Sequence, residues 1–501
     1  MAIGSENIAA EMICTNELLQ HLESNVTESG SDFKSIDVEG AYSHTLKIPI
    51  EWEFSELKNI IEIVGGSQPP KSEFKSESGK DLIRLIQIRD YKSDKHLVYI
   101  PTEKAKRFVS KDDVMIGRYG PPIFQILRGL EGAYNVALMK AVPVSGVMNN
   151  EYLFHYLNGR DIYNYVESAS DRTAGQSGVN KAHLEKYPVG LPPLAEQAVI
   201  AHTLDALLAQ VDNIKIRLDG IPKILKTFRQ SVLAAAVSGK LTEEWRGENG
   251  GEVWRNSVFE NLLEEMRNGL SPKPNEDGIG YPIFRISAVR PQMINYSDMR
   301  YLECDEKIAD RYRLQKNDLL FTRYNGSIDF VGVCGMIKQE PAGIILYPDK
   351  LIRVRLKKDI NPSYIDVYFA SPTIRKLVTD FVKSTSGQKG ISGKDLKSVV
   401  IALPSMEEQA KIVRRVEELF AFADQIEQQV KNAQGRVNSL TQSILAKAFR
   451  GEFTTQWRAD NPDLISGDNS AQALLAAIQK EHEKLKPVKK AKAKQTKKVL
   501  V

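Results

Sequence analysis

The sequence predicts an α+β fold: two α/β blocks and two long helices forming an antiparallel coiled coil, built as a pseudo-two-fold internal repeat. Three observations carry this prediction. The segment "LPPLAEQAVIAHTLDALLAQVDNI" begins at Leu191, and "LPSMEEQAKIVRRVEELFAFADQI" begins at Leu403, 212 positions later. That offset holds without a gap from Thr173/Thr385 to Arg246/Arg458, with about a third of the positions identical, so the chain contains a duplication. Each copy follows a block of short apolar runs broken by Gly, Pro and polar residues, the pattern of strands and turns.

Taken in order, residues 1–45 form an N-terminal extension. Its amphipathic stretch carries Ile8, Met12, Leu19 and Leu22 and leads into a Ser/Gly/Asp-rich linker. Residues 46–193 are the first block, 194–246 the first helical segment, 247–405 the second block and 406–458 the second helical segment. Residues 459–501 hold a short helix, "SAQALLAAIQKEHEK", and a lysine-rich tail. The terminal helices are expected to pack on the chain's own long helices, burying their apolar stripes; contact with partner subunits is the alternative that the sequence leaves open.

The helical segments justify themselves residue by residue. Apolar positions alternate in steps of four and three, a sustained heptad that only a matching seam can bury. In the first copy they are Ile200, Leu204, Leu207, Val211, Ile214, Leu218, Ile221, Leu225, Phe228, Val232 and Ala235. In the second they are Ile412, Val416, Leu419, Ala423, Ile426, Val430, Ala433, Val437, Leu440 and Ile444. Ser405 and Glu408 have the spacing of a capping box, and Pro193 suits the first helix start. Gly239 and Gly451 are placed to end the helices in a left-handed conformation. Gly220 and Pro222 interrupt the first copy without changing its heptad phase, which predicts a kink in a continuous rod. At 1.5 Å per residue, a rod of about 45 residues is ~65 Å long. An antiparallel pair would place the blocks at opposite ends of a spacer. The alternative use of such a seam is dimerisation with another chain.

Composition narrows the function. No apolar run is long enough to span a bilayer, and the N-terminus lacks the pattern of a secretory signal, so a cytoplasmic protein with no membrane partner is expected. Cys14, Cys304 and Cys334 show no metal-ligand spacing and read as reduced thiols. The net charge of +4 becomes −4 once the eight lysines from Lys484 onward are set aside. A DNA-binding role would therefore need clustered basic residues or partners that share the electrostatic work. The tail itself reads as a solvated charge run, with non-specific attraction to phosphate as its sharper use.

Enzyme signatures are missing. "SGKLT" and "ISGKD" lack the upstream glycine of a phosphate-binding loop, and no G-x-G-x-x-G opens a helix. "NPSY" at Asn361 lacks the second proline of an amino-methyltransferase loop and reads as a helix or turn start. The seven histidines form no metal-hydrolase cluster. Catalytic, metal and cofactor-binding residues are accordingly expected to be absent.

Candidate binding residues lie where the two blocks resemble each other. "DDVMIGRYGPP" and "NDLLFTRYNGS" each carry an Arg-Tyr pair from an apolar strand into a turn; "LIRLIQIRDY" and "YPIFRISAVR" occupy similar earlier places. Arg118, Tyr119, Arg323, Tyr324 and Asn325 are therefore candidate DNA contacts, since arginine at a strand end can reach guanine or phosphate. Gln176, Ser177, Gln388 and Lys389, in "TAGQSGV" and "TSGQKGI", are candidates because glutamine can pair with adenine and exposed amides suit phosphate. A plain structural turn is the alternative. Lys71, Arg84, Arg89, Lys92 and Lys95, with Arg285, Arg290, Arg311, Arg313, Arg353 and Arg355, read as solvated charges at turns.

The order block–helix–block–helix, with "LPPLAEQ", "LPSMEEQ", "TSGQKGIS" and "SVLAAAVSGKL", resembles the specificity subunit of type I restriction–modification systems over residues 46–458. The resemblance implies two target-recognition domains, each reading one half of a bipartite asymmetric DNA site, with the helices setting the spacer. It implies no catalysis by the chain alone. Two modification subunits, which bind S-adenosylmethionine and methylate adenine, would dock on the helices, and restriction subunits using ATP and Mg²⁺ would join them. The competing readings are a coiled-coil adaptor without DNA binding and a DNA methyltransferase or nuclease with fused recognition domains.

Overall fold

The computed structural model describes residues 2–24, 32–173, 176–250, 253–385 and 388–480. The lysine tail, Gly175 and Gly387 lie outside the described residues, as do the side chains of Leu22, Gln176, Ser177 and Gln388. The two long helices are Leu194–Val237 and Met406–Phe449, 44 residues each and related by the same 212-residue offset. The first runs unbroken through Pro222. Every predicted heptad position is buried except Leu207 and its equivalent Leu419, which are half-buried. Gly239 and Gly451 close the helices with φ of 75° and 67°, the left-handed conformation expected of them.

The chain divides into two compact units, and the division falls inside both long helices. One unit contains Leu218–Asn432 and the N-terminal residues through Cys14; the other contains Thr15–Arg217 and the chain from Ala433 onward. Each unit thus holds one block, half of the first long helix and half of the second. In the former unit, Arg229 pairs with Asp424 at 2.6 Å and Glu427 at 3.2 Å, while Arg246 pairs with Glu408 at 3.0 Å. Advancing along the first helix means retreating along the second, so these halves are antiparallel. In the latter unit, Glu196 at the start of the first helix meets Arg458 beyond the end of the second, which is again antiparallel.

Both blocks share a four-stranded antiparallel sheet. In the first block its order is Ile61–Gly65, Leu138–Pro143, Val114–Gly117 and Gln125–Leu127. In the second it is Leu263–Asn268, Leu351–Leu356, Leu319–Thr322 and Cys334–Met336. Val114, Met115 and Ile116, like Leu319, Leu320 and Phe321, are fully buried, because these central strands are covered on both faces. Two helices follow each sheet: Asn150–Leu157 and Arg160–Ser168 in the first block, Pro362–Ala370 and Pro372–Asp380 in the second. Asn361 caps its helix by accepting from the Ser363 amide, with Pro362 at the first helical position, as read from "NPSY". A strand at each block's start pairs with the strand just before the long helix: Glu53–Glu56 with Pro188–Leu191, and Arg255–Val258 with Val400–Leu403.

The N-terminal extension carries the helix Ala2–Ser24 and, within the stretch expected to be a linker, the strand Phe33–Val38, which pairs antiparallel with His44–Pro49 across the expected block boundary. Ile8, Met12, Thr15 and Leu19 are buried, in steps of four, three and four. Glu23 pairs with Arg436 of the second long helix. Residues 471–480 are helical, with Ala471 and Ile478 buried. No helix among the described residues is long and apolar enough to cross a membrane.

Arg84, Arg353 and Arg355 are not solvated turn charges: Arg84 is half-buried in the strand Leu82–Ile86 and pairs with Asp94, while Arg353 and Arg355 lie in the strand Leu351–Leu356. Arg353 is 1% exposed, donating to a Glu265 carboxylate oxygen and the Arg313 carbonyl, and Arg355 donates to Asp318 at 2.7 Å. The Ser405/Glu408 capping box is only half formed. Ser405 accepts from the Glu408 amide at 3.2 Å, but the Glu408 side chain turns away to three other donors.

Candidate nucleic-acid interface

The adjacent Glu and Gln of "LPPLAEQ" and "LPSMEEQ" explain how each block is held. Glu196 is fully buried and accepts from Trp52 Nε1 at 2.9 Å, Thr454 Oγ1 at 2.6 Å and Arg458 Nη1 at 2.7 Å. Glu408 accepts from Trp254 Nε1 at 3.0 Å, Thr242 Oγ1 at 2.7 Å and Arg246 Nε at 3.0 Å. Each hub joins the start of a block, the start of one long helix and the turn beyond the other. Each arginine also donates to the carbonyl of the helix-ending glycine, Gly451 or Gly239. Burial pushes the Glu196 carboxyl up, against the pull of Thr454, Arg458 and Trp52.

The neighbouring glutamines face the blocks. Gln197 accepts from the Asn149 amide at 2.7 Å and donates to the carbonyls of Val147 and Pro192. Gln409 accepts from the Asn361 amide at 2.9 Å and donates to Pro404. Asn149 and Asn361 are themselves N-caps, so each glutamine fixes the start of a block helix relative to the long helix. The repeat therefore extends back to Asn149/Asn361. The recognisable sequence identity begins only at Thr173/Thr385 because the intervening helices share few identities.

On this frame the candidate contact residues come together within each block. Asp171–Thr173 pairs antiparallel with Gln176–Gly178, and Gly178 bridges to Tyr119. The Val179 amide donates to the Arg118 carbonyl at 2.9 Å. In the second block Lys383–Thr385 pairs with Gln388–Gly390, which pairs in turn with Tyr324–Asn325, setting Asn325 opposite Lys389. The Ile391 amide donates to the Arg323 carbonyl at 3.0 Å. Glycine is required at the second contact, where an added Cβ would lie 2.4 Å from the Tyr324 ring. Arg118 and Arg323 each lie against the following tyrosine, 5.2 Å and 4.8 Å from the ring centroid. Among the described residues, Arg118, Arg323 and Lys389 form no ion pair, whereas Arg84 is paired with Asp94 and Arg285 with Glu276. Unpaired cations held at a strand end suit phosphate or a base edge.

Beside Tyr324 and Asn325 the second block opens a groove of about 820 Å³. Lys273, Arg300 and Lys350 line it, and sequence reading singled out none of the three. They sit in unrelated segments and converge only through the sheet. A Pro-flanked lysine after a glycine was the one available signal: "GSQPPK" at Gly66 and "GLSPKP" at Gly269. Both glycines are pressed against backbone carbonyls, of Asn135 and Pro348, where no side chain fits.

Comparison with known proteins agrees with this architecture. The family model described as "Type I restriction modification DNA specificity domain" matches twice, at residues 49–223 and 257–433. The chain is 46% identical to the type I restriction enzyme EcoKI specificity subunit of Escherichia coli K12, covering 87% of this chain and 96% of that one. It is 36% identical to the StySPI specificity subunit of Salmonella potsdam over the same shares of the two chains. In fold it resembles a solved chain described under "complex assembly and conformational transition of the type I R-M system", with a TM-score of 0.62 at 18% identity, covering 81% of this chain and all of that one. It also resembles the HsdS subunit from Thermoanaerobacter tengcongensis, with a TM-score of 0.52 at 20% identity, covering 81% and 98%. With the domain present twice and close relatives matched over nearly their full length, the chain belongs to the type I restriction–modification specificity subunit family.

Proposed function

We propose that this chain is the DNA sequence-specificity subunit of a type I restriction–modification complex, each block reading one half of a bipartite, asymmetric site. The observation that carries the reading is the pair of equivalent hubs at Glu196 and Glu408, which mount two different blocks on two copies of one helical frame. Divergent blocks on equivalent mounts allow the half-sites to differ. Equivalent helices give two identical partners equivalent surfaces on which to dock.

In this reading the partners are double-stranded DNA, two modification subunits carrying S-adenosylmethionine, and restriction subunits using ATP and Mg²⁺. The chain itself performs no chemistry; it contributes Arg118, Tyr119, Gln176 and Ser177 to one half-site, and Arg323, Tyr324, Asn325, Gln388 and Lys389 to the other. The long helices set the distance between half-sites, about one DNA turn (~34–36 Å) when both domains address one face of the duplex.

Exchange of residues 46–193 for the corresponding block of a relative, followed by genome-wide mapping of methylated adenines, tests the proposal. One half of the methylated motif is expected to change and the other to persist. Alteration of both halves would refute modular reading. Methylation or cleavage by the purified chain alone would refute a purely recognising role.

A further inference from the structure

The groove of the second block contains one arginine in a distinctive setting. Arg285 and Arg300 both spend their charge on Glu276, at 2.9 Å and 3.1 Å. Arg290 has no acidic partner among the described residues. Its guanidinium lies 4.6 Å from the centroid of the Phe330 ring, and Nη1 donates to the Val289 carbonyl at 2.9 Å. One face and one N–H are thus committed to the protein, and the other donors remain for a ligand. A guanidinium stacked on an aromatic ring is already oriented, so binding orders little further.

The surroundings define the ligand. Lys273 and Lys350 line the same groove without ion pairs among the described residues. The Lys350 carbonyl accepts from the Arg323 amide at 2.8 Å, which ties this wall to the Arg-Tyr loop. Phe330 closes the turn Ile328–Phe330, just beyond Asn325. Flexible lysines provide point charges suited to phosphates, whereas a fixed planar fork matches the O6/N7 edge of guanine in the major groove.

We propose that Arg290, held on Phe330, is a specificity-determining residue of the second domain, reading a guanine, while Lys273 and Lys350 hold flanking phosphates. This rests on the DNA-reading role proposed above. The test uses the whole chain assembled with its modification subunits, the motif mapped for the wild type, and duplexes carrying every single-base-pair change in that motif.

Arg290→Ala and Arg290→Lys are expected to relax one G·C position in one half-site, with discrimination there falling on the order of 10- to 100-fold. The other half-site should remain fully specific, which also reports an intact complex. Arg290→Lys keeps the charge and should retain most of the affinity; Phe330→Leu should relax the same position less. Lys273→Ala and Lys350→Ala should weaken all sequences alike and lower the salt slope by about one each. An unchanged motif in both Arg290 variants, or a uniform loss of affinity with a reduced salt slope, would overturn the assignment. Absence of any bipartite motif in the wild-type complex would instead overturn the DNA-reading role itself.

Discussion

Glu196→Gln is the sharpest probe of how a block is mounted. The substitution preserves volume but removes the charge opposite Arg458, whose side chain is 4% exposed. The remaining neighbour, Glu51, is 3.7 Å away and partly solvated. Stranding one member of a buried ion pair costs about 3 kcal/mol or more. The new amide also turns an N–H toward one of the donors that Glu196 now satisfies, Trp52, Thr454 or Arg458. Glu408→Gln is the internal comparison, because Arg246 is 28% exposed and water can take over part of its solvation. That variant should lose only about 1–2 kcal/mol. For domains of this size, 1 kcal/mol shifts Tm by roughly 2–4 °C, so the expected losses are about 6–12 °C and about 2–8 °C. Trp52 and Trp254 sit on the two hubs, and their fluorescence during thermal or urea unfolding provides the readout. Adding Arg458→Met to Glu196→Gln should recover about 2 kcal/mol, because the stranded charge is then gone. Equal losses at the two hubs, or a double variant no more stable than Glu196→Gln, would refute the argument that the buried charge dominates.

Three further outcomes are expected. Asp366 is buried beside Cys334, and burial pushes its carboxyl up to about 7. Its folded state favours the protonated form, so this contribution is present below about pH 4 and is lost as pH rises through 7. Between pH 5 and 8 the wild type should lose about 3 kcal/mol that Asp366→Asn does not lose, visible as a flatter Tm–pH curve for the variant. Gly390→Ala would press a methyl into the Tyr324 ring at 2.4 Å, whereas at Gly178 the equivalent contact with Tyr119 is 3.2 Å. Mapping of methylated adenines should therefore show degraded specificity for Gly390→Ala in one half-site and little change for Gly178→Ala. Pro222→Ala restores a backbone donor inside a continuous helix and should raise Tm, read by the loss of the 222 nm signal on heating.

The helices and their ends were legible because heptads and C-terminal glycines are local signals. Pro362 and Asn361 were legible for the same reason. The hubs were not, since Glu196 and Arg458 are 262 positions apart and only the fold brings them together. Trp52 and Trp254 are equivalents separated by 202 positions rather than 212, so an ungapped comparison passes over them. Arg353 was misread because arginine in an apolar strand looks like a surface charge until Glu265 is seen across the sheet. The contact loops were located by the Arg-Tyr pairs. The groove walls came from segments that share no spacing, and no pattern along the chain could have joined Lys273 to Arg290 or Lys350.

Neighbouring residues with opposite tasks give the long helices the character of a standard socket. Glu196 grips a tryptophan at one edge of the incoming block, and Gln197 grips the cap of its first helix, Asn149. Glu408 and Gln409 do the same with Trp254 and Asn361. A foreign block needs only that plug, a tryptophan at its entry and a free amide at its helix cap, to seat correctly. Everything between those two prongs is left at liberty to diverge, so new target sequences can be acquired without redesigning the scaffold that measures and assembles.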